Sequence, residues 1–127
     1  MAFIRLGGTS SCSAQEIKKA FEKLAPALGS DLRQIISEVE QGAARLFCAD
    51  RECYFVLRGE TDFSGRELVI VAMAGKNAVK HTKEIHQRAK RAGYQTIRLH
   101  TLKPAAMLRM GRGLGYQPAE TILRAVL

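Results

Sequence analysis

The chain has 127 residues, 46% hydrophobic and 25% charged, with a net charge of +8, proportions ordinary for one globular domain and leaving little room for a second. No apolar run reaches the roughly 18 residues that span a bilayer, and the opening "MAFIRLGGTSSCSAQEI" has too short an apolar segment for a secretory signal, so a cytoplasmic protein without a membrane partner is expected. Three cysteines, Cys12, Cys48 and Cys53, odd in number and without C-x-x-C spacing, read as reduced, small apolar residues; a Cys48–Cys53 bridge across a turn is the disfavoured alternative, and no metal-ligand set is legible.

In chain order, "AFIRL" is a short strand ended by Gly7 and Gly8. "SAQE" from Ser13 to Glu16 has the form of a capping box. The helix it opens places Ile17, Ala20, Phe21, Leu24 and Leu28 on one face, disturbed near its end by Pro26 and stopped by Gly29. Ser30 or Asp31 caps a second helix with Leu32, Ile35, Ile36 and Val39 inward, closed by Gly42. The period then changes: "AARLFCAD" and "ECYFVLRGE" are strands of a hairpin around "DRE". "DFSGRE" is a second turn. "LVIVAMA", residues 68–74, is a continuous apolar run expected of a central strand covered on both faces.

Gly75 follows, then a helix over 77–92 with Ala78, Thr82, Ile85, Ala89 and Ala92 on one stripe and Gly93 as its C′ residue. "QTIRLHT" is a strand, "PAAMLRMGRGL" a helix with Pro104 in its first turn, and "TILRAVL" a closing strand. The order is β-α-α-β-β-β-α-β-α-β. The helix joining the run at 68–74 to the strand at 95–101 is a crossover, so those two strands are parallel; the earlier strands, joined by short turns, are antiparallel. The fold class is α/β in the broad sense, an α+β mixed sheet with helices on both faces.

Charge is unevenly placed. Between Gly75 and Gly113 there are ten Lys or Arg and one acid, Glu84, together with all three histidines, His81, His86 and His100; the other 88 residues carry ten bases and eleven acids. The positive excess therefore sits in one third of the chain, which suggests an anionic partner there. The plainer alternative is a solvated basic helix face.

The passage "ELVIVAMAGKNAVKHTKEIHQRAKRAGYQTIRLHT" followed by "PAAMLRMGRGLGYQP", set in this element order, resembles the GNAT superfamily of acyl-CoA-dependent N-acyltransferases over nearly the whole chain. In that family a central strand runs into a phosphate-binding turn and a long helix, and a Gly-Phe or Gly-Tyr pair comes later; "AGY" ending at Tyr94 and "LGY" ending at Tyr116 fill the matching places. The resemblance implies an acetyl-CoA cofactor held by Met73, Ala74, Gly75, Lys76, Asn77 and Ala78, with Lys80, Lys103 and Arg112 near its phosphates. The family's Gln/Arg-x-x-Gly-x-Gly/Ala turn does not fit in either register: Met73 and Lys76 fall on Gln/Arg and Gly in one, Ala72 and Asn77 on the flanking positions in the other. Phosphate cradle and plain turn, with Asn77 as N-cap, stand level at this point.

The family's acidic Tyr, five residues before the Gly-Phe aromatic, falls on Gly111 or, shifted by one, Met110. Tyr94 and Tyr116 read as half-buried packing residues with wet hydroxyls. A base for the acceptor amine would be a carboxylate or an imidazole: Glu67 at the start of the central strand and His100 near the end of the next one are the candidates, with Glu60 and Asp62 as solvated turn acids. The first function implied is an N-acetyltransferase of unidentified amine acceptor. The alternative is a catalytically silent protein of the same fold whose basic 75–113 region contacts nucleic acid or an acidic protein. A homodimer is compatible with both.

Overall fold

Five apolar-bearing segments pair into a single mixed sheet, and the computed structural model describes the chain through residues 3–6, 14–63, 65–101, 108–109, 112–118, 123 and 125–126. Strands β1 (Phe3–Leu6), β2 (Arg45–Ala49), β3 (Cys53–Asp62), β4 (Gly65–Gly75) and β5 (Thr96–Leu99) form one five-stranded sheet in that order. The first four pair antiparallel, and β4 pairs β5 parallel from Glu67↔Thr96 to Ile70↔Leu99, as the crossover requires.

Helices α1 (Ala14–Leu28) and α2 (Leu32–Glu40) lie between β1 and β2 in the chain, joined by a 3-10 turn at Gly29–Asp31. They cover one sheet face: Ala20, Phe21, Leu24, Leu28, Ile35 and Val39 are buried against Leu6, Leu46, Val56, Val69 and Val71. Pro26 does not end α1, and Leu32 and Ile36 are only half-buried. Asp31 occupies the N-cap of α2 without a side-chain capping bond; Ser13 lies outside the described residues.

Helix α3 (Ala78–Arg91) covers the other face, with Ile85 and Ala89 buried against Phe55, Leu68 and Ile70. Cys48 belongs to the first core and Cys53 to the second. Both are free thiols, and they sit on opposite sides of the sheet: Cys48 stands opposite Tyr54 in the ladder, and the neighbouring Cys53 points to the other face.

The bounds of β4 and of α3 differ from the sequence-based expectation. Strand β4 begins at Gly65 and ends at Gly75, whereas the apolar run covers 68–74. Ladder pairing with β3 continues down the hairpin through Glu60↔Glu67 to Asp62↔Gly65, so the apolar run marks the buried part of the strand and not its ends. Helix α3 is shorter than 77–92 at both ends. Asn77 is left-handed (φ 59°, ψ 38°) and Ala92 is the C-cap.

Ala92 is exposed and not part of the packed stripe, whereas His81 is fully buried within α3. The α3 C-terminus closes as expected: Gly93 N–H donates to Lys90 O (3.2 Å) and Tyr94 N–H to Ala89 O (3.0 Å), the two bonds of a Schellman end. The expected helix at 104–114 is described at Leu108 and Arg109, which are helical, and at Arg112–Leu114, a 3-10 turn. Of the expected closing strand at 121–127, Leu123, Ala125 and Val126 are described and lie in no strand.

Ile70 is fully buried at the last residue of the β4–β5 register. Ile70→Ala should cost about 2–4 kcal/mol through lost transfer energy and the cavity left behind. Denaturant unfolding reads it, and a loss near zero would show that the strand is not central.

Candidate functional site

The parallel pair opens where it should if an extended ligand enters the sheet. The last β4–β5 bond runs from His100 N–H to Ile70 O (3.1 Å), yet β4 continues to Gly75. Among the described residues, nothing pairs with Val71–Gly75 on the β5 side. On the other side these residues stay on β3, from Val56↔Ala72 to Cys53↔Gly75, with a register irregularity between Val56 and Leu57 that sets Val71 outside the regular ladder. The open edge is five residues, roughly 16 Å of extended backbone.

This edge leads directly to the start of α3. Gly75 has φ 137°, and a Cβ there would lie 2.2 Å from the carbonyl oxygen of Glu52. Glycine is needed for both reasons. The same carbonyl accepts the Lys76 N–H at 2.9 Å. Asn77 stands at the N-cap position, but its side chain makes no capping bond; its Nδ2 donates to Glu52 Oε1 at 3.1 Å. His81 Nε2 lies 2.8 Å from that oxygen.

The Glu52 carboxyl is held below its ordinary 4.5, first by the Asn77 amide and then by His81. Lys80 Nζ approaches Asp50 Oδ2 at 4.0 Å. His81 N–H makes the first intrahelical bond, to Asn77 O at 3.1 Å, so the N–H groups of Ala78, Val79 and Lys80 precede the ladder. The stretch is thus both a tight turn and a helix start with donors, and a carboxylate of the protein stands beside it.

The expected site residues fall into three groups. Gly75, Lys76, Asn77 and Lys80 are exposed around the start of α3, with Ala78 half-buried. Met73 and Ala74 supply open-edge backbone, while their side chains pack into the two cores; Thr82 Oγ1 also donates to Met73 Sδ at 3.4 Å. Lys103 lies outside the described residues, and so does the side chain of Arg112.

Glu67 and His100 are brought together by a residue the sequence reading missed. Arg98 Nη1 donates to Glu67 Oε1 (2.8 Å), Nη2 to Glu60 Oε2 (3.0 Å) and Nε to His100 Nε2 (3.3 Å). Glu67 also accepts from Thr96 Oγ1 at 3.0 Å. Arg58 extends the chain of charges, pairing with Glu60 at 3.2 Å and with Glu38 of α2 at 3.0 Å. Glu60 is therefore an ion-pair partner and not only a solvated turn acid. The available signal was the two-residue spacing of Arg98 and His100, which puts them on one face of a strand.

The tyrosines pack, as expected, but neither is merely wet. Tyr94 lies under the Arg66 guanidinium at 4.3 Å, and its hydroxyl sits where a Cβ on Gly59 would approach to 2.8 Å. Tyr116 OH is 2.7 Å from His86 Nε2. Burial pushes the Tyr116 phenol up to about 12 and the His86 imidazole below its ordinary 6.5, so this pair anchors the 112–118 segment on α3 and is poorly suited to donate a proton. Two clefts lie elsewhere: about 640 Å³ between α1 and α2, and about 530 Å³ over Phe3, Phe47 and Phe55.

No family profile and no curated protein sequence matches the chain. Solved structures do. It is similar over its full length to an aminoglycoside 6'-N-acetyltransferase from Acinetobacter haemolyticus (TM-score 0.65, 12% identity, 100% of this chain and 98% of that one). A transcriptional regulator from Bacillus halodurans aligns comparably (TM-score 0.64, 14% identity, 99% of both chains). So does a predicted acetyltransferase from Clostridium acetobutylicum crystallised with acetyl-CoA (TM-score 0.60, 10% identity, 98% of this chain and 95% of that one). The chain has the GNAT fold, with a five-stranded mixed sheet and helices on both faces. No helix among the described residues is long and apolar enough to cross a membrane.

The depressed Glu52 carboxyl has a testable sign. Its folded form binds its proton less readily than the unfolded chain, so the stability it contributes is present above the ordinary 4.5 and drains as pH falls below it. His86, also depressed, acts from its ordinary 6.5 downward. In denaturant titrations from pH 8 to 3.5, Glu52→Gln should flatten the limb below 4.5 and leave the limb near 6 in place.

Proposed function

We propose that the protein is an acetyl-CoA-dependent N-acetyltransferase, and the observation that carries the reading is the unpaired β4 edge running straight into the start of α3. An acyl-CoA is an extended, hydrogen-bonding arm that ends in a diphosphate. The Val71–Gly75 edge would take the arm by strand-like pairing. The N–H groups that open α3, with Lys76 and Lys80, would take the diphosphate; Lys103 and Arg112 are proposed to lie near the remaining phosphate. This arrangement puts the thioester beside Ile70 and His100, where the two strands part.

The acceptor nitrogen attacks the thioester carbonyl carbon; the C–N bond forms, the C–S bond breaks, and CoA leaves as a thiolate. His100 takes the proton from the attacking nitrogen. At rest Arg98 Nε donates to His100 Nε2; that hydrogen bond gives way as the same nitrogen takes the proton, and Glu67, committed to Arg98 and Thr96, acts through Arg98 and not on the substrate. The thiolate is protonated from water. Much of the rate then comes from juxtaposing amine and thioester. A cytoplasmic setting is part of the proposal.

One observation favours the second reading, a catalytically silent protein whose basic 75–113 region binds nucleic acid or an acidic protein: the Glu52 carboxylate stands at the helix start where a phosphate would sit. Calorimetric titration with CoA separates the two. Binding is expected, weakened by Lys76→Ala by about 0.5–1 kcal/mol, as befits an exposed charge contact. With an acceptor in hand, His100→Ala should lower kcat and leave the KM for acetyl-CoA in place. Absence of CoA binding at millimolar ligand would sink the acyltransferase reading, and binding to mixed-sequence RNA or DNA that falls steeply with salt would then support the second.

A further inference from the structure

The junction between the β2–β3 turn and α3 gathers groups that neither reading uses. One carboxylate oxygen each from Asp50 and Glu52 and a ring nitrogen of His81 lie within 4.8 Å of one another. The set is not merely acidic. Its nitrogen donor belongs to an imidazole that is fully buried, edge-on to Phe3 at 6.3 Å between ring centroids, with Nε2 directed at Glu52 Oε1 at 2.8 Å.

The backbone that presents these groups is unusual as well. Asp50 (φ 49°), Arg51 (φ 56°) and Asn77 (φ 59°) are the non-glycine residues at positive φ among those described, and all three belong to this junction. The turn folds tightly enough to place Asp50 and Glu52 on either side of Arg51, with Glu52 N–H on Ala49 O at 3.0 Å.

We infer that Asp50, Glu52 and His81 bind a divalent cation of the Zn2+ type. One imidazole and two carboxylates make a borderline N/O donor set; the nitrogen disfavours Mg2+ and Ca2+, which take oxygen ligands. Three protein ligands leave a fourth position for water, the usual count for an open zinc site. Metal–ligand bonds of about 2.0–2.2 Å put tetrahedral ligand atoms roughly 3.4 Å apart, so the donors need shift by about 1 Å.

Most of that shift falls to Asp50. His81 is held by the core, and Glu52 is steadied by Asn77 Nδ2 at 3.1 Å. Asp50 has a side chain that is 30% exposed, and Lys80 approaches it at 4.0 Å, the outer limit of an ion pair. On binding, the cation replaces the His81–Glu52 hydrogen bond, with the imidazole proton carried on Nδ1. The test of this site does not rest on the acyl-CoA reading, because no CoA enters it.

The test uses the whole chain, freed of metal by a chelator, with Zn2+ in calorimetry and Co2+ as the spectroscopic probe. One equivalent should bind. Asp50→Asn, at an exposed position that leaves the fold alone, should weaken binding about tenfold or more, at least the loss given by outer partners of metal sites. Zn2+ should raise the melting temperature of the native chain and not of Glu52→Gln.

The Co2+ spectrum should show nitrogen and oxygen ligation without a thiolate charge-transfer band. Cys48 and Cys53 are buried in the two cores, and a thiolate band would place the metal on a cysteine and overturn the site. Binding unchanged in both Asp50→Asn and Glu52→Gln, or no binding at all, would overturn it equally and leave a His81–Glu52 hydrogen bond and nothing more.

Discussion

The approach of the β2–β3 turn to the end of β4 governs the rest of this structure. The carbonyl of Glu52 takes the Lys76 N–H and comes so near Gly75 that no side chain fits. Its carboxylate then takes the Asn77 amide and faces His81. Four consecutive decisions follow from that contact. The strand must end at Gly75, the chain must turn through a left-handed Asn77, the helix must start at Ala78, and the buried imidazole one turn later must face the turn. The direction of α3 across the sheet, and with it the geometry of the open β4 edge, is set by a hairpin tip some 25 residues earlier in the chain.

That dependence explains what could be read from the sequence and what could not. The "DRE" turn, the apolar run, the helix after Gly75 and the Gly93 end all rest on local chemistry: turn residues, periodicity and a C′ glycine. Each was legible. The ends of β4 were not, because the ladder continues through Arg66 and Glu67, residues whose side chains say nothing of pairing. His81 lay among solvated lysines in the sequence and gave no sign of burial. Its partner is 29 residues away, and no local pattern encodes that. Arg98 was missed for the same reason: its carboxylates lie 31 and 38 residues away. The element order through β5 was readable, whereas the groups that set the site's electrostatics were not.

The charge excess is also less uniform than counting suggests. Arg98 is spent on Glu60 and Glu67, which ties β5 to β3 and β4 on the α1–α2 side of the sheet. Arg88 and Arg91 share Glu84, and Arg88 also covers the Phe3 ring at 4.1 Å. Such partly exposed pairs contribute little each to stability, but they remove positive potential from their own neighbourhood. Lys76, just before the helix, and Lys83 and Lys90 on it are exposed as well, while Lys80 meets Asp50 at 4.0 Å.

The missing family phosphate motif and the Glu52 carboxylate are then two aspects of one fact. A glycine-rich phosphate turn works by leaving the helix N-terminus bare, so that an anion can approach the backbone closely. Here the space beside the turn is taken by the β2–β3 hairpin, and the helix dipole already has a negative neighbour. On the proposed reading, a diphosphate would either use the helix-start donors that face away from the hairpin or meet a junction whose two carboxylates have been neutralised. The first demands nothing more of the fold. The second demands a positive group at Asp50, Glu52 and His81, so the occupancy of that junction and the affinity of the helix start for phosphate would be coupled through Coulomb's law across a few ångströms.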